Sequence, residues 1–288
     1  MITDAVIPVG GLGTRMLPAT RSLPKEMLPL VDKPAVQYVV EELRDAGIER
    51  ILFVTGRRKR AIEDHFDADP ELERAVGEAA SPASGLRIVY TRQRQPLGVG
   101  DALRYADGFA GQSGIVTAFG DAIISRPSDG SPSVVKRLID CYEAADADAA
   151  VAVREVPMEL VARYGIVAVG GQRGTAFDVE DVVEKPAPSR APSRIAIMAR
   201  YVLGPAVFKA LAQIPPGAAG EIQLSDALRQ VIREGGRVVA VPLTEGERRH
   251  DVGTLESYCA AFLEYALSDD RFGAELRARA AALLDAAD

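Results

Sequence analysis

Near the start of the chain a short apolar run, Ala5 to Val9, ends in glycines. It is followed by VQYVVEELRDAG, apolar at helical spacing with a stop at Gly47, and then by a β-branched run, Ile51 to Thr55. This strand, helix, strand succession constrains the fold most, because strands joined through a helix pair in parallel with a right-handed crossover. Ile88 to Tyr90 and Gly114 to Phe119 repeat the short apolar run, VVKRLIDCYEAA reads as a helix and AAVAVREV as a strand, so the pattern extends to about residue 156. From Tyr164 the strand-like pieces GIVAVG, VEDVVEK and IAIMARYVL lie close together with few helices between them. PAPSRAPSR is a Pro/Ser-rich loop, and from Ser257 the chain is largely helical, closing on an Ala-rich terminal helix expected to be amphipathic. The expected fold class is α/β: a Rossmann-like, doubly wound, mostly parallel mixed sheet flanked by helices, with a small added β region and a C-terminal helical segment.

A chain of 288 residues, 48% hydrophobic and 26% charged, has enough apolar surface for one large core. Its net charge of −7 argues against a sequence-independent grip on nucleic acid or on an anionic membrane, so any phosphate must be met by local groups. Cys141 and Cys259 fall in helix-like segments, where cysteine reads as a buried small hydrophobe rather than half of a disulfide, which fits a reducing cytoplasm. The start MITDAVIPVGG has no signal-peptide pattern and no apolar run reaches membrane-spanning length.

The first strand runs into Gly10-Gly11-Leu12-Gly13-Thr14-Arg15. Without Cβ atoms, backbone N–H groups there can approach an anion closely. The spacing is neither a dinucleotide fingerprint, which needs glycine where Met16 stands, nor a Walker loop, which needs lysine near Arg15. By itself the loop is a weak signal, and a plain strand-to-helix turn stays open as the alternative. In the continuation MLPATRSLPKEMLP three prolines suppress regular structure, so Arg15, Lys25 and Glu26 are presented by a loop at the carboxyl end of the strand, where parallel sheets bind ligands. Two cations beside N–H groups suit a triphosphate, although an exposed basic loop has the same composition. Further on, Gln93 precedes Pro96-Leu97-Gly98-Val99-Gly100, and its amide matches a pyrimidine edge. Asp121 follows an apolar strand and Gly120; Asp251 lies in HDVG. Each aspartate alone reads as a turn or cap residue, whereas the pair beside a triphosphate suits Mg²⁺. Glu184-Lys185-Pro186 alone reads as solvated surface.

GGLGTRMLPATRSLPKEMLPLVDKP resembles the signature of bacterial UTP:glucose-1-phosphate uridylyltransferases, within the sugar nucleotidyltransferase superfamily. RQRQPLGVGDAL, FGDAII, YGIV, VEKP, PPGAAGEIQLSDAL and HDVGTLESY continue the resemblance in order along nearly the whole chain. It implies a nucleotidyl transfer from UTP to glucose 1-phosphate in a single domain over 1–268, with a nucleotide-binding half to about 156, a sugar-binding half from 157, and a helix over 269–288 as an oligomer contact. By the same resemblance Gly10, Gly11, Leu12, Gly13, Thr14, Glu26, Gln93 and Gly98 hold the nucleotide. Arg15, Lys25 and Lys185 carry the catalysis, Asp121 and Asp251 hold Mg²⁺, and Gly120, Gly165, Glu184, Lys185 and Met198 meet the sugar phosphate. A cytoplasmic homodimer or homotetramer is implied, with no nucleic-acid or membrane partner. The chain departs from the pattern at Asp101, where the family has histidine, at Ala122, where many members carry a second acid, and at Met198-Ala199 in place of a valine-glycine pair. These departures leave two alternatives: the same chemistry on dTTP, GTP or another sugar or cyclitol phosphate, and a catalytically weak nucleotide-sugar sensor. No general base is expected, and neither His65 nor His250 is assigned a proton.

Overall fold

The computed structural model describes residues 1–76, 81–125, 130–217 and 220–286. In chain order it runs β1 (Asp4–Pro8), β2 (Pro29–Leu30), β3 (Lys33–Pro34), α1 (Ala35–Asp45), β4 (Arg50–Thr55), α2 (Arg60–Phe66), α3 (Pro70–Val76) and β5 (Arg87–Arg92). Next come α4 (Val99–Arg104), α5 (Asp107–Ala110), β6 (Ile115–Ala118), β7 (Ala122–Ile124), α6 (Val134–Ala144), β8 (Ala149–Glu155), β9 (Gly165–Arg173) and β10 (Ala176–Glu184). The chain ends with β11 (Ile195–Leu203), α7 (Pro205–Gln213), α8 (Leu224–Arg233), β12 (Val238–Pro242), β13 (Arg249–Asp251), α9 (Leu255–Ser268) and α10 (Gly273–Asp285).

A nine-stranded sheet has the order β5-β4-β1-β6-β11-β8-β12-β10-β9. β5, β4, β1 and β6 pair in parallel, as does β8 with β12, whereas β11 lies antiparallel between β6 and β8 and β10 antiparallel to β12 and β9. The parallel strands are continuous apolar runs because both of their faces are covered. On one face Ala5 and Ile7 of β1 join Val36, Val39, Val40 and Leu43 of α1 and Leu138 of α6. On the other, Val6 packs with Leu103 of α4, Leu211 of α7 and Leu228 of α8. Each such fully buried aliphatic side chain contributes about 1.5–3 kcal/mol.

From β1 the chain winds outward through β4 to β5 and then returns on the other side of β1 as β6. That reversal opens a crevice beyond the carboxyl ends of β1 and β6. The Gly10 loop leaves β1 at this point, and Gly120 and Asp121 leave β6 there. The strands after Tyr164 hydrogen-bond into the same sheet, so β11 supplies a wall of the crevice from far along the chain. A separate two-stranded piece pairs β13 with β7 and sets Asp251 opposite Ala122.

No α-helix lies between β9, β10 and β11, as their close spacing in the sequence implies, and α7 and α8, which follow them, cover one sheet face. Cys259 is exposed rather than buried, because α9 turns Tyr258, Ala261, Tyr265 and Ala266 inward and leaves Cys259 on its outer side, while Cys141 is half-buried; both are free thiols. Gly273 is the one buried residue of α10, and Arg277 in it donates to the Leu267 carbonyl of α9. Residues 287–288 of the predicted terminal segment and Ala218-Ala219 of PPGAAG lie outside the described residues. Among those described, no helix is long and apolar enough to cross a membrane.

Candidate active site

Two adjoining chambers fill the crevice. One, of about 590 Å³, is lined by the glycine loop, Lys25, Glu26, Gln93 and Gly98; the other, of about 970 Å³, by Gly165, Ile197, Ala199, Tyr201, Ser225, Arg249 and Asp251. Arg15, Phe119, Asp121, Glu184 and Lys185 belong to both.

The smaller chamber is built around backbone. A side chain at Gly10 would meet Gln93 Oε1 at 2.8 Å, whereas around Gly11 the space is open. Gly13 has φ of 67°, the left-handed region that glycine tolerates, and its carbonyl accepts from Thr20 at 2.7 Å. The prolines do not abolish regular structure: Thr14–Met16, Ala19–Arg21 and Lys25–Met27 form short 3-10 turns. The third turn buries Glu26, which accepts from Lys59 Nζ at 2.7 Å. Burial pushes the Glu26 carboxyl up, against the pull of Lys59 and then Lys25. Gly98 has φ of 94°, and a Cβ there would strike the Ile222 carbonyl oxygen at 2.8 Å; that carbonyl accepts from Gly100 N at 2.8 Å.

At the junction Lys25 Nζ bonds the Asp121 carboxylate directly. Burial opposes both charges, but Lys25 holds the Asp121 carboxyl below its ordinary range, and Asp121 followed by Glu26 lifts the Lys25 ammonium. Asp251 stands on the neighbouring strand, where its Oδ1 accepts from Gly253 N at 3.0 Å and the Val252 N–H donates to the Asp121 carbonyl at 2.9 Å. A Cβ at Gly253 would lie 3.5 Å from the Arg15 guanidinium, so Arg15 passes close over this turn. Among the described residues, no hydrogen bond or ion pair engages the Arg15 guanidinium.

In the larger chamber Glu184 Oε2 accepts from the Ser225 hydroxyl at 2.9 Å, and Glu184 Oε1 lies 3.2 Å from Lys185 Nζ. Lys185 itself has φ of 41°, strained for a non-glycine residue, and its N–H donates to the Tyr164 carbonyl at 3.0 Å. A Cβ at Gly165 would lie 3.3 Å from Glu184 Oε2, so the glycine leaves room for that carboxylate. Two of the expected residues stay apart from this assembly. Met198 is 3% exposed and points into the core, because on β11 its neighbours Ile197 and Ala199 take the chamber face. Gly120 packs instead, since a Cβ there would meet Val9 at 2.8 Å.

Lys59, Ser225 and Arg249 are contributors that the sequence does not single out: Lys59 holds Glu26, and Ser225, inside EIQLSDAL, holds Glu184. Ala199, with φ of 63°, occupies a left-handed position that the expected glycine would take without strain. Arg249 lines the larger chamber with its guanidinium 5.2 Å from the Tyr164 ring centre and 3.8 Å from Asp251 Oδ2, while its Nε is buried without a partner. It immediately precedes HDVG, and nothing local distinguishes it from a surface arginine.

A glycine-rich loop at the switch point of a doubly wound sheet, facing two carboxylates and a second chamber lined by Lys185 and Arg249, is the layout of an α/β protein that handles nucleotides. The family described as "Nucleotidyl transferase" matches residues 4–268, and the chain belongs to it. Two UTP–glucose-1-phosphate uridylyltransferases of Bacillus subtilis are 44% and 43% identical to it, over 88% and 93% of this chain and 85% and 92% of theirs. A UDP-glucose pyrophosphorylase solved with UDP-glucose has a TM-score of 0.84 at 36% identity, covering 93% of this chain and all of that one. A UTP-bound UGPase from Acinetobacter baumannii has a TM-score of 0.86 at 34% identity, covering 96% and 98%.

Proposed function

We propose that this chain transfers a uridylyl group from UTP to glucose 1-phosphate, giving UDP-glucose and pyrophosphate. The observation that carries the reading is the shared wall of Arg15, Asp121, Glu184 and Lys185 between a glycine-lined chamber and a cationic one. The identities above 40% with named uridylyltransferases support the substrate pair.

In this reading the glycine loop and Gln93 hold the nucleotide while Glu184 accepts from sugar hydroxyls. A phosphate oxygen of glucose 1-phosphate attacks the α-phosphorus of UTP; the new P–O bond forms as the bond to the β-phosphate breaks, and its electron pair leaves on pyrophosphate. The attacking monoester, with a second pKa of about 6, is already mostly dianionic at neutral pH, so no base needs to remove a proton. Neither chamber is lined by histidine. Rate comes from bringing two polyanions together and neutralising them. Lys185 and Arg249 receive the attacking phosphate, and Arg15 takes charge on the leaving group. Asp121 and Asp251 would hold one Mg²⁺, because that ion takes one or two carboxylates beside phosphate; when bound it would offset the charge gathered on the phosphates. Lys25 then holds Asp121 ionised and in place for it.

The exposed Leu255, Phe262 and Leu263 on α9 and Leu283 and Leu284 on α10 support a homodimer or homotetramer. The free cysteines fit a cytoplasmic protein. The test of function is Mg²⁺-dependent pyrophosphate release from UTP with glucose 1-phosphate, with dTTP, GTP, ATP and CTP in parallel. Release fastest with UTP is expected. Release only with another nucleotide would overturn the donor assignment, and binding without release would favour a sensor.

A further inference from the structure

Gln93 is 7% exposed, and both hydrogens of its amide nitrogen are committed. Nε2 donates to Asp101 Oδ2 at 2.7 Å and to the Gly98 carbonyl at 3.2 Å. An amide carries its two donors on nitrogen and accepts on oxygen. Two acceptors on one side therefore dictate which end of the amide lies there, independently of how the atoms are assigned. The carbonyl Oε1 is turned to the opposite side, against Gly10, and no described donor bonds it. Gln93 and Gly10 line the smaller chamber, whereas Asp101, in the first turn of α4, does not.

We propose that Asp101 is a positioning residue for base selection, locking the Gln93 amide so that its carbonyl oxygen faces the nucleobase. The inference rests on the uridylyl-transfer reading and names the feature of the base that is read. Uracil and thymine present an imide N3–H, which an amide oxygen accepts; cytosine presents a lone pair at N3, which the same oxygen repels. An amide able to flip would offer its NH₂ to cytosine and lose that discrimination. The Gly98 carbonyl alone is a weaker lock, since it is the longer of the two bonds and lacks a full charge. Asp101 thus acts through Gln93 without touching substrate.

The experiment compares initial rates of pyrophosphate release from UTP, dTTP and CTP, at saturating glucose 1-phosphate, for the wild-type chain, Asp101→Ala and Asp101→Asn. In Asp101→Ala the UTP:CTP ratio of kcat/KM is expected to fall about tenfold, mainly through a higher KM for UTP, which is the effect of one misdirected hydrogen bond. The UTP:dTTP ratio and the KM for glucose 1-phosphate stay within about twofold, because thymine shows the same N3–H. Asp101→Asn falls between, since its side chain satisfies either orientation of Gln93. An unchanged UTP:CTP ratio, or an equal loss with all three nucleotides, would overturn the proposal. Should Asp101→Ala fail to fold, the isosteric Asp101→Asn decides: an unaltered UTP:CTP ratio in it sinks the idea. A wild-type chain that releases no pyrophosphate from UTP would instead refute the uridylyl-transfer reading itself.

Discussion

Lys25 and Lys185 stand at the same junction in opposite circumstances. The Lys25 side chain is 13% exposed and tied to Asp121, whereas that of Lys185 is 57% exposed and, among the described residues, pairs only with its neighbour Glu184. The contrast extends to their surroundings: Glu26 with Lys59 and Gln93 with Asp101 are paired within the protein, while the buried Arg249 Nε has no partner among the described residues. Around the glycine-lined chamber the charges are paired within the protein, whereas the larger chamber keeps a cationic donor unengaged. Breaking a buried pair strands a desolvated charge, but removing an exposed one costs little stability. Substitutions on the first side should therefore damage folding, and those on the second should damage turnover alone.

The largest effect is expected for Lys185→Ala, which should lower kcat by about a thousandfold, the scale of a lost transition-state charge contact. Its thermal midpoint should stay within about 1 °C of wild type, as for an exposed pair. Near-normal turnover would remove Lys185 from the mechanism. Beside the glycine-lined chamber, Lys59→Ala leaves the Glu26 carboxylate buried without its partner and should cost about 3 kcal/mol in urea unfolding. Glu26 also predicts a pH signature. A carboxyl whose folded pKa is raised subtracts stability as pH rises above its unfolded value, near 4.5, through the folded one. The deficit of Lys59→Ala should thus shrink on acidification toward pH 5, and adding Glu26→Gln should recover most of it at neutral pH. A pH-independent deficit would show that Lys59 matters through packing instead.

Arg249→Ala should raise the KM for the sugar phosphate about tenfold with a smaller change in kcat, which steady-state kinetics separates from the Lys185 effect. Smallest of all, Ala199→Gly should stabilise the chain by about 1 kcal/mol, read as a gain of about 2–3 °C in midpoint, by relieving a left-handed alanine. A loss of stability there would mean that the methyl group's packing outweighs the strain.

The βαβ opening was legible because buried parallel strands are written as uninterrupted apolar runs, and the phosphate loop because its glycines and prolines are local. α8 is equally readable: Leu224, Ala227, Leu228 and Val231 recur at helical spacing. What could not be read is long-range pairing. Glu26 and Lys59 lie 33 residues apart, Glu184 and Ser225 lie 41 apart, and β11 enters the sheet between strands made far earlier. Met198 shows the same limit on a small scale. Its strand borders the larger chamber, but strand alternation with Ile197 turns its side chain inward, and which face meets the chamber is set by the sheet as a whole. Asp101 was visible as a departure from a family pattern, and only its 2.7 Å contact with Gln93 shows what it touches.

The central claim is direct transfer across one shared wall, with the sugar phosphate itself as the nucleophile and no protein group bonded to the α-phosphorus. The most direct measurement is the stereochemical course at that phosphorus, followed with a single diastereomer of the α-thio analogue of UTP. One in-line displacement predicts inversion in the nucleotide sugar formed. Retention would require two displacements through a nucleotidylated side chain, and would contradict the account.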